Sequence, residues 1–216
     1  MADVQINVSI FRMLVVVVLI LPHSSFAQTC SYDTWRWNVH SKQIVQQERI
    51  VRSYAAIRSD ERDKASGCTV CEEDQVKIDI SGLPVFYVCK LIAPQVRHAF
   101  AQLQERGTPI KSIIAYRVGR SRGKVDASGN RSEFSNHSFG VALDINSEHN
   151  GLYNRCTTFG PLCVLSRGGV WLPGNDPLSI SRDSGIVRLL KAAGLKWGGE
   201  IAGQQKDFMH FSPSGY

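Results

Sequence analysis

Residues 135–145 run Ser135-Asn136-His137-Ser138-Phe139-Gly140-Val141-Ala142-Leu143-Asp144-Ile145. From Phe139 onward the side chains alternate, with Val141, Leu143 and Ile145 on one side and Gly140, Ala142 and Asp144 on the other, the period-2 pattern of a strand. A strand face holding two minimal side chains and one carboxylate leaves room for something beside that carboxylate. His137 stands seven residues before Asp144. Near the C-terminus, Lys206-Asp207-Phe208-Met209-His210-Phe211 reads as a last short strand. If the two strands lie side by side, His137, Asp144 and His210 converge into the three-ligand set of a catalytic zinc, with a fourth position left for water. Water on such a metal has its pKa lowered to about 7. Asp207, three residues before His210, then supplies a base close to the metal, provided the backbone turns, since positions i and i+3 of a flat strand face opposite ways. Taken singly, His137 reads as a hydrogen-bonded loop residue, His210 as a core histidine and Asp144 as a turn cap.

Outward from this stretch, Ile110 to Tyr116 is β-rich and leads into a basic, glycine-containing loop, Arg117 to Arg131. Ile92 to Arg106 is expected to be helical, with Pro94 in the first turn, Val96, Phe100 and Leu103 on the apolar face and Gly107 as the stop. A second short helix is expected over Ser184 to Ala193, stopped by Gly194. Toward the N-terminus, Ile44, Val45, Ile50, Val51, Tyr54 and Ile57 recur with rough helical spacing, which predicts an amphipathic helix over Ser41 to Arg62. Trp35 and Trp37 precede it in an irregular segment. Gln75 to Ile80 alternates as a strand, and Gly82 and Pro84 break it before the apolar Val85 to Val88. The expected fold is α+β: a small antiparallel sheet with flanking helices, zinc in the cleft, and a disulfide-pinned N-terminal extension. Residues 28–91 form the cysteine-containing helix and hairpin, and residues 92–216 the zinc domain.

With 216 residues, 43% hydrophobic and 20% charged, the composition excludes disordered, collagen and coiled-coil classes. Lys and Arg exceed Asp and Glu by 25 to 19, and the charge of +6 favours anionic partners. Met13 to Leu21 is an apolar run too short to span the roughly 30 Å hydrocarbon core of a bilayer. Arg12 before it and Ser25-Phe26-Ala27 after it make residues 1–27 a secretory signal, so the mature protein starts at Gln28, exported and with no stable membrane anchor. All six cysteines lie beyond that point, and an even count in an exported chain reads as disulfides. Cys156 and Cys163, bracketing a turn-rich loop, are the first expected pair. Cys68-Thr69-Val70-Cys71 has redox or zinc-ribbon spacing, but no second such pair exists, and each is expected to join Cys30 or Cys89. Nucleic acid is excluded as a partner, because the basic residues of 117–131 are few and lack interleaved aromatics.

Ser-x-His-x-x-Gly-x-Ala-x-Asp at Ser135 to Asp144, Trp197-Gly198-Gly199, and Lys206 to Phe211 together resemble the D-alanyl-D-alanine carboxypeptidase group of zinc peptidases. That group also includes the vancomycin-resistance D,D-peptidases and phage L-alanyl-D-glutamate endolysins. The resemblance covers roughly residues 92–216. It implies zinc ligation by His137, Asp144 and His210, with Asp207 as the catalytic carboxylate. Arg117, in a Tyr116-Arg117 pair, would hold the substrate carboxylate or the developing oxyanion, with Arg120 and Arg122 as competing candidates. Ser135 would contact substrate or orient His137. Trp197 and Glu200 would belong to the substrate pocket, and Glu200 is the second choice for the base. Relatives of the endolysin type carry an acid followed by Trp after the glycine pair, whereas this chain has Glu200-Ile201. The implied activity is hydrolysis of peptidoglycan stem peptides, as a carboxypeptidase or an endopeptidase. The alternative is a non-catalytic, zinc-stabilised wall-binding module, since the related hedgehog signalling domain keeps the metal cage without established proteolysis.

Overall fold

A computed structural model of the chain describes residues 28–216, and the signal assigned to residues 1–27 lies outside the described residues. The N-terminal segment is extended where helical spacing predicted a helix. β1 (Thr29–Asn38) and β2 (Gln43–Ser53) form an antiparallel hairpin that pairs Tyr32 with Ile50 and Trp37 with Ile44. The helix over Ser41 to Arg62 is therefore not formed. Ile44, Val45, Ile50 and Val51 are β-branched and favour extended backbone, and β1 offers them a cross-strand partner. Trp35 and Trp37 lie on β1 rather than in irregular chain.

β3 (Gln75–Ile78) and β4 (Phe86–Cys89) make the expected second hairpin. Disulfides Cys30–Cys71 and Cys68–Cys89 tie β1 and β4 to the loop between them, within the expected set of pairings. α1 (Ala93–Glu105) carries Pro94 in its first turn and buries Val96, Phe100 and Leu103 completely. After β5 (Ile113–Ile114), the basic segment is a hairpin and not a loop, β6 (Arg120–Val125) with β7 (Arg131–Phe134). Asp126 closes its turn by accepting from the Ser128 and Asn130 amides.

The strand expected over Phe139 to Ile145 is shorter, β8 (Leu143–Ile145), because Asn136–Phe139 winds into a 3-10 turn that ends at Gly140, φ +64°. β9 (Leu152–Asn154) and β10 (Val164–Arg167) flank the Cys156–Cys163 disulfide, whose short loop contributes roughly 2.5 kcal/mol on the chain-entropy model. α2 (Gly185–Ala192) starts at Ser184, whose Oγ accepts from the Val187 amide at 3.2 Å. β11 (Lys196–Trp197) follows. The last strand is two strands, β12 (Gln205–Asp207) and β13 (His210–Ser212), with a turn at Phe208 and Met209 between them.

The result is an α+β arrangement of several small sheets with two helices. The orders are β2-β1-β6-β7, β11-β13-β8-β5, β10-β9-β12 and β3-β4. One core unites α1, α2 and the β8–β13 sheet. A second packs Cys30, Tyr32, Cys68, Val70, Cys71 and Cys89 against Val118, Phe134, Phe139 and Val141. The cysteine-rich segment thus shares both a sheet, through β1 and β6, and a core with the later chain. Among the described residues no helix is long and apolar enough to cross a membrane.

Candidate active site

Register brings the distant histidine and aspartate together. β13 pairs with β8 so that His210 stands opposite Asp144, with Ile114 of β5 on the other side of Asp144. His137 arrives from the 3-10 turn. Gly140 lets the chain swing from that turn into β8, and a Cβ there would press on the backbone nitrogen of Cys89 at 2.7 Å. Ser138 fixes the turn by accepting from the Gly119 amide at 3.0 Å and donating to the Gly119 carbonyl at 3.1 Å.

His137 Nε2 lies 3.2 Å from Asp144 Oδ1, and His210 Nδ1 lies 2.9 Å from the same oxygen. Ligands about 2.0–2.1 Å from a tetrahedral ion stand roughly 3.3 Å from one another, so these spacings match one shared divalent ion. One ligand atom from each of the three residues falls within 4.8 Å of the others, and all three residues are buried. His137 Nδ1 faces the Ala115 carbonyl at 2.8 Å, and donation there leaves the Nε2 lone pair free for the site. Burial lowers the His137 pKa, despite the pull of Asp144, so the neutral ring is favoured. Burial also resists charge on Asp144, but the two imidazoles hold its carboxyl well below the usual carboxylate range. For His210 burial opposes the cation, yet its hydrogen bond to Asp144 and the Asp144 and Asp207 charges leave the pKa raised.

Asp207 ends β12 and, with Arg117, His137, Asp144 and His210, lines one cleft of about 360 Å³. The turn required by the sequence reading is present, at Phe208 and Met209. Three contacts hold it: the Trp197 indole donates to the Phe208 carbonyl at 2.9 Å, the Phe208 amide to Gly151 at 3.2 Å, and the Ile145 amide to Met209 at 2.9 Å. Trp171 stacks flat on Phe208, with centroids 3.7 Å apart, so its loop is a core anchor behind the turn. Asp207 Oδ1 is buried without a hydrogen-bond partner, and burial pushes the carboxyl pKa up to about 6.

Arg117 reaches the second oxygen of Asp144 at 3.6 Å, and Ser135 also lines the cleft. Arg120 instead pairs with Asp60 at 2.7 Å and covers the Phe134 ring at 3.8 Å, away from the cleft. Two residues expected in the pocket face elsewhere. Trp197 is 3% exposed beneath the Phe208 turn, and Glu200 pairs with Arg182 and Lys191 of the α2 side. Sequence reasoning missed Trp37 on β1 and Arg167 on β10, both in the cleft wall. Each belongs to a different small sheet from the ligands, and no local pattern marks either.

Residues 128–213 match the family model described as D-alanyl-D-alanine carboxypeptidase. The matched span contains His137, Asp144, Trp197 to Gly199, Asp207 and His210, so it bears out the resemblance carried by those motifs and supports a peptidase. No curated protein and no solved structure matches the chain.

Proposed function

We propose that this chain is an exported, zinc-dependent peptidase that hydrolyses peptidoglycan stem peptides, of D-Ala-D-Ala carboxypeptidase or L-Ala-D-Glu endopeptidase type. One observation carries the reading: two imidazoles and a carboxylate at ligand spacing share a cleft with Asp207, one of whose carboxylate oxygens is buried without a hydrogen-bond partner. His137, Asp144 and His210 would hold the zinc ion, which when bound would supply Lewis acidity and activate water at neutral pH. Asp207 accepts a proton from the attacking water and returns it to the leaving amine, a role suited to a carboxyl in the cleft with one oxygen free of any hydrogen-bond partner. Arg117 steadies negative charge beside the ligands, and Ser135 contacts substrate or steadies the His137 turn. Three disulfides accord with export into an oxidising compartment.

The test is digestion of muropeptides of defined length by zinc-loaded and metal-depleted protein, read by mass spectrometry. Cleavage at one stem-peptide bond is expected only with zinc. Retention on insoluble wall with no cleavage at any pH would favour the non-catalytic module instead.

The glycine pair after Trp197 gives a second expected outcome. A Cβ at Gly198 would overlap the carbonyl oxygen of Asp207. Gly198→Ala must therefore displace the β12 backbone that carries the base. Since a misplacement of about 1 Å can cost about 10²-fold in rate, kcat should fall by tens-fold while zinc content, measured by atomic absorption, stays at the wild-type level. Wild-type kinetics in this variant would show that Asp207 needs no such placement.

A further inference from the structure

Two arginines in the cleft have work that the proposed chemistry does not use. Arg122 comes from β6 and Arg167 from β10, strands of two different sheets, and both line the cleft. Among the described residues neither guanidinium makes an ion pair or a side-chain hydrogen bond. Arg117 has Asp144, and Arg131 donates to the Gly123 carbonyl at 2.6 Å, so these two stand apart from the other arginines of the cleft. What holds each of them is an aromatic ring. Arg122 Cζ lies 6.0 Å from the Tyr216 ring centre and Arg167 Cζ lies 5.9 Å from the Trp37 ring centre.

A ring face orients a guanidinium without neutralising it, and leaves the N–H donors free. Arg122 is half-buried and burial works against its charge; Glu133, opposite it on β7, acts on it from across the hairpin but makes no ion pair with it. After Glu133, the charge of Asp207 acts on Arg122, and the charge of Arg167 acts on Asp207, so both guanidinia lie within Coulombic range of the proposed base. Ring-supported guanidinia with free N–H donors in one cleft, Arg122 half-buried and Arg167 exposed at its edge strand, suit a planar anion.

We propose that Arg122, supported by Tyr216, and Arg167, supported by Trp37, form a specificity subsite for a second carboxylate of the substrate, one carried inside the peptide rather than at the scissile end. This rests on the peptidase reading and narrows its substrate to stem peptides that keep a free internal carboxylate. It also gives the cysteine-rich segment a part in recognition, because Trp37 comes from β1.

Two synthetic stem peptides, identical except that the D-glutamyl residue carries a free carboxylate or a carboxamide, provide the test. Zinc-loaded protein is expected to prefer the free acid by about tenfold or more, both in kcat/KM and in affinity measured calorimetrically. R122Q and R167Q should each shrink that ratio, and the double variant should bring it near one; thermal melts confirm that the variants fold, and R122K and R167K should restore part of the ratio. Equal binding of acid and amide by the wild type overturns the proposal, as does an undiminished ratio in the folded double variant. Should neither peptide be hydrolysed, the peptidase reading fails, yet a binding preference that the double variant abolishes still upholds the carboxylate subsite.

Discussion

Replacing Asp207 with Asn is expected to lower kcat on stem peptides by about 10²–10⁴-fold, the usual worth of a positioned acid–base group, while zinc content stays unchanged. The carboxamide keeps the shape of the side chain at the end of β12 and cannot take a proton from water. Metal should be retained because the ligand atoms belong to His137, Asp144 and His210. The same substitution should stabilise the metal-free protein. Burial raises the Asp207 pKa from 3.8 to about 6, so the folded state holds the proton more tightly than the unfolded one. Stability from this group is therefore full below pH 4 and is lost as pH rises towards 6; above that, the buried carboxylate costs at most about 3 kcal/mol. Asn removes that cost, and denaturant melts of metal-free protein at pH 7.5 should show the variant as the more stable. Full turnover in Asp207→Asn would end the assignment of the base, and lost zinc would make Asp207 a ligand.

Local signals decide which parts of the molecule could be read from its sequence. The helices were legible because their signals are local: Pro94 and Gly107 bound α1, and Ser184 caps α2. The grouping of His137, Asp144 and His210 was legible because metal chemistry restricts the residue types, and the distance from His137 to Asp144 is short in the chain. β2 was not, since Ile44, Val45, Ile50 and Val51 fit a helical face as well as a strand, and the choice lies with β1 across the hairpin. Motif membership also failed to fix direction. Trp197 and Glu200 stand beside the glycine pair, yet the indole runs under the Phe208 turn and the carboxylate turns to Lys191. Arg167 and Trp37 meet from two separate sheets, neither of them the sheet of Asp144 and His210, and such juxtapositions leave no mark in any single stretch.

The ligand set should behave as one electrostatic unit, and His210→Ala is the substitution that exposes it. Asp144 is buried, and its charge is met chiefly by His210 at 2.9 Å, with the His137 ring at 3.2 Å and Arg117 farther off at 3.6 Å. Removing His210 leaves that carboxylate short of a partner 2.9 Å away, and breaking a buried pair in this way costs about 3–5 kcal/mol. The variant should therefore lose zinc and activity together and also unfold at lower denaturant, even compared with metal-free wild type. His210→Gln separates the two effects: a carboxamide can still donate to Asp144, recovering part of the stability, but it is a poor zinc ligand, so activity stays lost. The pH dependence follows from the same unit. The depressed Asp144 pKa contributes stability above 3.8 that is lost as pH falls, and the raised His210 pKa contributes stability below 6.5 that is lost as pH rises. The lowered His137 pKa works the other way, withdrawing stability as pH falls below 6.5, so the His210 contribution is read as the difference between the pH profiles of metal-free wild type and His210→Gln. Zinc requires the imidazoles unprotonated, so the rise in Tm on adding zinc should grow from pH 5 to pH 8. A His210→Ala variant that keeps stoichiometric zinc, or a zinc-induced Tm shift that is flat across this range, would mean that the three side chains do not grip an ion together.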